Sequence, residues 1–235
     1  MTENIVLSAE PTFLDSKPHD DAGIRTGFVP NLFAKGNPRY WVVDNFYTDP
    51  DSVREYGLMQ NFYPDEGSVG LRTKKQFLFD GLKERFEEIM GRKIANHTAN
   101  GFGWYDESVN GRFQSCQAGT KMVFHADTQD WAAIIFLSPD AYPHSGTGFY
   151  RHRETGIRHA REINFETGFG TSIYDLRYHV DPSPYEKIET VANIYNRLII
   201  FDGRLLHSGE NYFGYDIGSS RFFQIFFFDE EPGQD

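Results

Sequence analysis

"KMVFHADTQDWAAIIFLSP", Lys121 to Pro139, contains two apolar runs with a polar break between them. The first run stops at His125-Ala126-Asp127, and the second begins at Trp131. Short apolar runs rich in aromatic and β-branched residues, bounded by turn formers, read as buried strands. Alternation along a strand puts residues i and i+2 on one face. His125 and Asp127 can therefore point at one spot. They are either a strand end with an aspartate turn or two ligands of a metal.

The same pattern continues downstream. "GTGFYRH", "TSIYDLRY", "RLIIFDG", "RLLHSG" and "RFFQIFFF" are short, apolar or aromatic, and separated by Gly, Pro, Asp or Asn. "NGFGWYDESVNGRFQSCQA" reads as a hairpin turning at Asn110-Gly111. Such spacing predicts an all-β sandwich or jelly roll. The 22 Phe and 13 Tyr suit pleated, half-buried surfaces.

Upstream, residues 1–38 are polar and Pro-containing, and predict an irregular arm. "RYWVVDNFY" reads as a strand. "TDPDSVREYGLMQNF" reads as a helix capped by Thr48, and "KKQFLFDGLKERFEEIMG" as a second helix ending at Gly91. No linker divides the rest. The expectation is one domain over 39–235, with helical support at 39–95 and a core at about 100–229. The long segment 152–195 reads as an irregular insertion that forms a lid.

Net charge is −11, with 34 acidic against 23 basic side chains. A nucleic-acid binder carries a basic footprint, so a nucleic-acid partner is not expected. "YRHRETGIRHARE", Tyr150 to Glu162, is the densest basic segment. It reads as a solvated loop or as a hint of an acidic substrate or protein partner. The single Cys116 allows no intrachain disulfide and reads as a small packing residue. No signal peptide or membrane-spanning run is legible, so a cytoplasmic protein with no membrane partner is the expectation.

His-x-Asp occurs three times, at His19/Asp21, His125/Asp127 and His179/Asp181. The first lies in a polar stretch with no strand to hold it. The third lies too near His207 for strands to fit between. The second is flanked by strands on both sides. His207, near the end of "RLLHSG", supplies a third ligand. Two His and one carboxylate form the facial triad of non-haem Fe(II) oxygenases, and zinc accepts the same set. Arg221 opens "RFFQIFFF". If it shares a face with Phe223 and Ile225, its cation points into an apolar interior and needs an anion. A carboxylate cosubstrate would meet it bidentately.

The order His-x-Asp, later His, then Arg opening a final strand resembles the 2-oxoglutarate- and Fe(II)-dependent dioxygenases, with their prolyl-hydroxylase-like branch nearest. "SGTGFYRHR" resembles that family's Gly-Thr-Phe segment, and "NRLIIFDGRLLHSG" with "SRFFQIFFF" its closing strands. The likeness covers roughly residues 39 to 229 and is strongest to a bacterial branch without a settled substrate. It implies a double-stranded β-helix (jelly roll, cupin-like) with flanking helices. It implies that His125, Asp127 and His207 bind iron and that Arg221 pairs with the distal carboxylate of 2-oxoglutarate. Thr147, Gln117 and Gln114 are further cosubstrate contacts. Fe(II), 2-oxoglutarate, O2 and ascorbate are the implied cofactors. The implied reaction couples oxidative decarboxylation of 2-oxoglutarate to hydroxylation. Related halogenases have a small residue where Asp127 stands, so hydroxylation is favoured.

The prime substrate is a small molecule or a peptide or protein, with Trp131, Phe149 and Tyr150 read as lid aromatics. A nucleic-acid demethylase of the same superfamily would carry more cations on the last strand than Arg221. Two other readings stay open: a zinc-dependent hydrolase on the same barrel, with Glu210 as base, and a non-catalytic cupin-like binding module.

Overall fold

In the computed structural model, which describes residues 25–27, 40–65, 68–164, 166–167 and 180–233, the chain builds mainly β structure. The elements in order are β1 (Arg25–Gly27), β2 (Tyr40–Val43), helix α1 (Pro50–Leu58), β3 (Phe62–Pro64), β4 (Leu71–Thr73) and helix α2 (Leu82–Met90). There follow β5 (Arg112–Cys116), β6 (Trp131–Phe136), β7 (Thr147–His152), β8 (Tyr185–Val191), β9 (Leu198–Asp202), β10 (His207–Gly209) and β11 (Arg221–Phe228). A large antiparallel sheet has the order β1-β2-β9-β6-β11-β5-β4-β3, and a small one the order β10-β7-β8. A backbone bridge between His125 and His207 adds the segment before β6 to the small sheet. From β5 onward the chain passes back and forth between the two sheets. That winding is a double-stranded β-helix, or jelly roll, with helices on one side.

The large sheet is buried on both faces, which explains its nearly unbroken apolar strands. On β11, Phe222, Phe226 and Phe228 pack outward with Phe86, Ile89 and Trp104 around α2. Phe223 and Ile225 pack inward with Ile134, Phe149 and Phe201, between the sheets. Gln224 faces outward and is fully buried. Its Nε2 donates to the carbonyls of Phe77 and Gly111, and its Oε1 accepts from the Tyr47 hydroxyl at 2.5 Å. This side chain ties β11 to the segments around the helices.

Helix α1 starts after Asp49, whose Oδ1 accepts from Ser52 N at 3.0 Å, with Pro50 in the first turn. Asp49 is therefore the cap, and Thr48 lies one residue outside it, because a side-chain acceptor must sit within reach of the third amide. Gly57 lets α1 lie against the sheet: a Cβ there would meet Phe113 Cε1 at 2.8 Å. The second predicted helix forms only over its C-terminal half. Gly81 has φ 82°, which a helix does not accept, so α2 begins at Leu82 and stops at left-handed Gly91.

Three other expectations are corrected. The hairpin over 100–118 has one strand, β5. Its other arm is a turn in which Asp106 accepts from the amides of Thr98 and Gly103. The segment 152–195 read as an irregular lid contains β8, paired along β7. "YRHRETGIRHARE" is a solvated loop only in part: Arg153, Glu154 and Arg161 are exposed, but Tyr150 to His152 belong to β7, and His159 is fully buried beside the β9–β10 connection. Of the arm at 1–38, residues 25–27 form the edge strand β1, and the rest lies outside the described residues, as do "TSIYDLRY", His19, Asp21 and His179. Among the described residues, no helix is long and apolar enough to cross a membrane.

Replacing Gln224 by Leu leaves the Tyr47 hydroxyl and the Phe77 carbonyl buried without that partner. The expected loss is about 2 kcal/mol or more, each stranded group costing roughly 1–3 kcal/mol. Urea unfolding with an unchanged m-value checks it, and a midpoint equal to wild type would refute the clamp.

Candidate metal centre and cavity

His125 and His207 face each other across the edge of the small sheet. The amide of each donates to the carbonyl of the other, at 3.0 and 2.8 Å. This reciprocal pair holds the two imidazoles with ring centroids 4.4 Å apart. Asp127 arrives next to them by a separate anchor, its amide donating to Gly203 O at 2.7 Å. Gly203 suits the approach, since a Cβ there would stand 3.2 Å from that of Asp127.

The imidazoles are also fixed in tautomer. His125 Nδ1 lies 3.0 Å from Val123 O, and His207 Nδ1 lies 2.7 Å from Leu205 O. A carbonyl only accepts, so each Nδ1 carries the proton and each Nε2 presents a lone pair. Both lone pairs face one carboxylate: His125 Nε2 and His207 Nε2 are each 3.5 Å from an Asp127 oxygen. One donor atom from each of His125, Asp127 and His207 lies within 4.8 Å of the others. Asp127 Oδ2 is buried with no hydrogen-bond partner. A backbone carbonyl behind each imidazole is the support that metal-ligating histidines require. Burial pushes the Asp127 carboxyl up to about 6, against the pull of His125 and Arg72. Burial, then the neighbouring His125, holds His207 well below the usual imidazole range. A buried carboxylate oxygen without a donor, next to two bare imidazole nitrogens, fits a divalent cation.

The ligands open into a cavity between the sheets. Its walls include Ala132, Ile134, Phe201, Phe223 and Ile225, with Thr147, Gln114 and Arg221 among its polar groups. Arg221 is 1% exposed. Its Nε donates to Ser145 O at 2.8 Å and its Nη2 to Gly146 O at 3.2 Å. Phe223, Phe136 and Tyr212 stack around the guanidinium, with the Phe223 centroid at 4.5 Å. Nη1 makes no hydrogen bond among the described residues, and no carboxylate of those residues pairs with the guanidinium. Burial presses its pKa down. Thr147 Oγ1 is likewise buried without a partner.

Not every expected residue joins them. Gln117 lies beyond the end of β5 and does not line the cavity, whereas Gln114, on the inward face of β5, does. Asp181 caps a turn by accepting from Ser183 N and Oγ. Trp131 packs on the helix side, Phe149 in the inner core, and Tyr150 on the outer side of the small sheet, so none of them is a lid. Glu210 follows β10 with its side chain away from the cavity. It accepts from the Tyr150 hydroxyl and from Thr190 Oγ1 at 2.9 Å, and pairs with Lys187 at 2.7 Å. Arg72 and Tyr212 line the cavity and were not foreseen. Arg72 lies on a three-residue strand, too short to show a period.

Behind the ligands, buried His159 meets Asp202 Oδ2 through Nε2 at 3.1 Å. It is bridged to Leu205, whose carbonyl orients His207. The His159 side chain supports Asp202, which caps the turn carrying Gly203 and Leu205, so His159→Ala should weaken Mn(II) binding by about tenfold or less, the low end of the range for lost outer support. His207→Ala should abolish it on the same calorimetric titration. Unchanged Mn(II) affinity in both variants would contradict the assignment.

Among solved structures, the chain is similar to HygX from Streptomyces hygroscopicus with nickel and 2-oxoglutarate bound, at 13% identity over 81% of this chain and 82% of that one, TM-score 0.47. It is similar to a prolyl hydroxylase from Trichoplax adhaerens in complex with a hypoxia inducible factor oxygen degradation domain peptide fragment, at 12% identity over 81% and 84%, TM-score 0.40. It is also similar to the Fe(II)/(alpha)ketoglutarate-dependent dioxygenase TqaL, at 14% identity over 83% and 84%, TM-score 0.37. No curated protein matches it. Residues 31–212 match the model of a family described as "Family of unknown function (DUF6445)", and the chain belongs to that family.

Proposed function

We propose that the protein is an oxidoreductase that couples oxidative decarboxylation of 2-oxoglutarate to hydroxylation of a second substrate at a non-haem Fe(II) centre. The observation that carries this reading is one cavity with two features. At one place two bare Nε2 atoms face an unpartnered carboxylate oxygen. At another a buried guanidinium has no carboxylate partner among the described residues. His125, Asp127 and His207 would hold the metal. Three ligands of this type leave coordination positions open for a cosubstrate and O2. Bound iron would supply oxygen activation and the oxidising power for decarboxylation.

The protein's own part is binding and positioning. Arg221 is poised for the distal carboxylate of 2-oxoglutarate, since the Ser145 and Gly146 carbonyls occupy its Nε and Nη2 and leave Nη1 available. Thr147 Oγ1 is a second donor on the same wall. The apolar walls exclude water from the reacting centre. The sequence likeness to the prolyl-hydroxylase-like branch supports hydroxylation over other outcomes. The hydrolase reading needs a base in the cavity, and Glu210 is engaged on the far side of the sheet.

Aerobic incubation with Fe(II) and 2-oxoglutarate should release succinate, and Asp127→Ala should not. Arg221→Gln should weaken 2-oxoglutarate binding to the Mn(II)-loaded protein roughly hundredfold, as loss of a charge-assisted contact of about 3 kcal/mol implies. Its Mn(II) affinity should stay within a few-fold of wild type. Equal 2-oxoglutarate affinity in the variant and wild type, read by calorimetry, would rule the reading out.

A further inference from the structure

Arg72 is the second guanidinium of the cavity, and the arrangement above does not use it. It sits on β4 directly opposite Gln114 of β5. Its Nε donates to Gln114 Oε1 at 2.7 Å, and Gln114 Nε2 in turn donates to Val69 O at 2.6 Å. That relay fixes the guanidinium at the cavity wall with 12% of its side chain exposed. Its Nη1 lies 3.3 Å from Asp65 Oδ2, while Nη2 makes no hydrogen bond among the described residues. A second cation stands beside it. Arg112 Nη1 is 3.9 Å from the same Asp65 oxygen, and Arg112 Nε is buried without a partner.

Charge balance gives these groups a purpose. A divalent metal, the Asp127 carboxylate, the dianion 2-oxoglutarate and Arg221 together are neutral. Among the described residues, Arg72 and Arg112 share a single carboxylate, that of Asp65, which is itself 34% exposed. Among those residues, one positive charge of the Arg72–Arg112 pair beside the cavity thus lacks a counter-ion when metal and cosubstrate are in place. A partly buried cation is costly until an anion meets it, and a guanidinium edge matches a carboxylate or phosphate bidentately. The basic segment Tyr150 to Glu162 does not offer an alternative, since none of its residues lines the cavity.

We propose that Arg72, with Arg112 behind it, is the recognition site for an anionic group of the prime substrate, a carboxylate or a phosphate monoester. This rests on the oxygenase reading for the word substrate; the anion site itself does not depend on it.

The test uses the full-length protein loaded with Mn(II) and N-oxalylglycine, an unreactive analogue of 2-oxoglutarate. Acetate, methyl phosphate and neutral acetamide are titrated at constant ionic strength, and melting temperature is followed against concentration. Acetate or methyl phosphate should bind saturably and acetamide should not, and which anion binds tighter distinguishes the two chemistries. Arg72→Gln, which keeps a donor for Gln114, should weaken the preferred anion at least tenfold, and Arg112→Gln several-fold. Neither should change N-oxalylglycine affinity more than about threefold. Equal anion binding by wild type and both variants overturns the proposal. So does a tenfold loss of N-oxalylglycine affinity in Arg72→Gln, which would place Arg72 in the cosubstrate site. Should wild type bind no N-oxalylglycine, the oxygenase reading fails, and the same anion titration on the metal-free protein still decides the subsite. Arg112→Gln keeps the test open if Arg72→Gln unfolds.

Discussion

Two backbone hydrogen bonds, His125 to His207 and back, set the geometry on which the site depends. They join segments far apart in the chain at the edge of the small sheet, and directly opposed residues in a strand pair send their side chains to the same face. Two imidazoles held this way cannot drift apart without breaking the sheet edge. The Val123 and Leu205 carbonyls then fix the remaining freedom, the ring orientation and the tautomer. All of these partners are backbone atoms. The site is therefore specified by the winding of the jelly roll as much as by the identity of its ligands.

β11 connects that winding to the scaffold. One face carries Arg221, Phe223 and Ile225 to the cavity, and the other carries Phe222, Gln224 and Phe226 to the helices. Because the period of a strand is two, a slip of one residue would exchange the guanidinium for an aromatic ring. The Gln224 clamp and the stacked Phe222 and Phe113 rings, 5.7 Å apart, hold the register from the helix side. Packing that looks remote from the chemistry therefore decides where the cation stands.

Much of this was legible because it repeats physical patterns over several residues. "RFFQIFFF" and "WAAIIFLS" are apolar on both faces, and the structure makes both strands. His125, Asp127, His207 and Arg221 were legible as a group because their strand context separated them from the other His-x-Asp pairs. What escaped lacks such patterns. β8 is "YEKIETV", whose Glu186, Lys187 and Glu189 break the apolar alternation of a strand although only Lys187 is exposed and Glu189 accepts from the Tyr40 hydroxyl. β3 and β4 have three residues each, so Arg72 showed no sign of its role. Gln117 and Gln114 were named together, but only the even positions of β5 face inward, and Gln117 lies past the end of that strand. His159 was taken for part of a basic loop because burial against a distant connection leaves no mark on local composition.

The cavity's electrostatics follow from where water is excluded. An isolated buried charge is expensive, so a protein either neutralises it or pairs it. At Asp127 burial raises the carboxyl's pKa, and at Arg221 it lowers that of the guanidinium, so in each case the charged form is disfavoured. The two groups do not relieve each other, as Arg221 is held by carbonyls and aromatic faces instead. A metal at one place and an anion at the other would relieve both strains at once. A dianion spanning from a metal to Arg221 would do so with a single molecule, which is how the proposed reading accounts for an apolar barrel that holds a carboxylate and a cation without ion partners among the described residues.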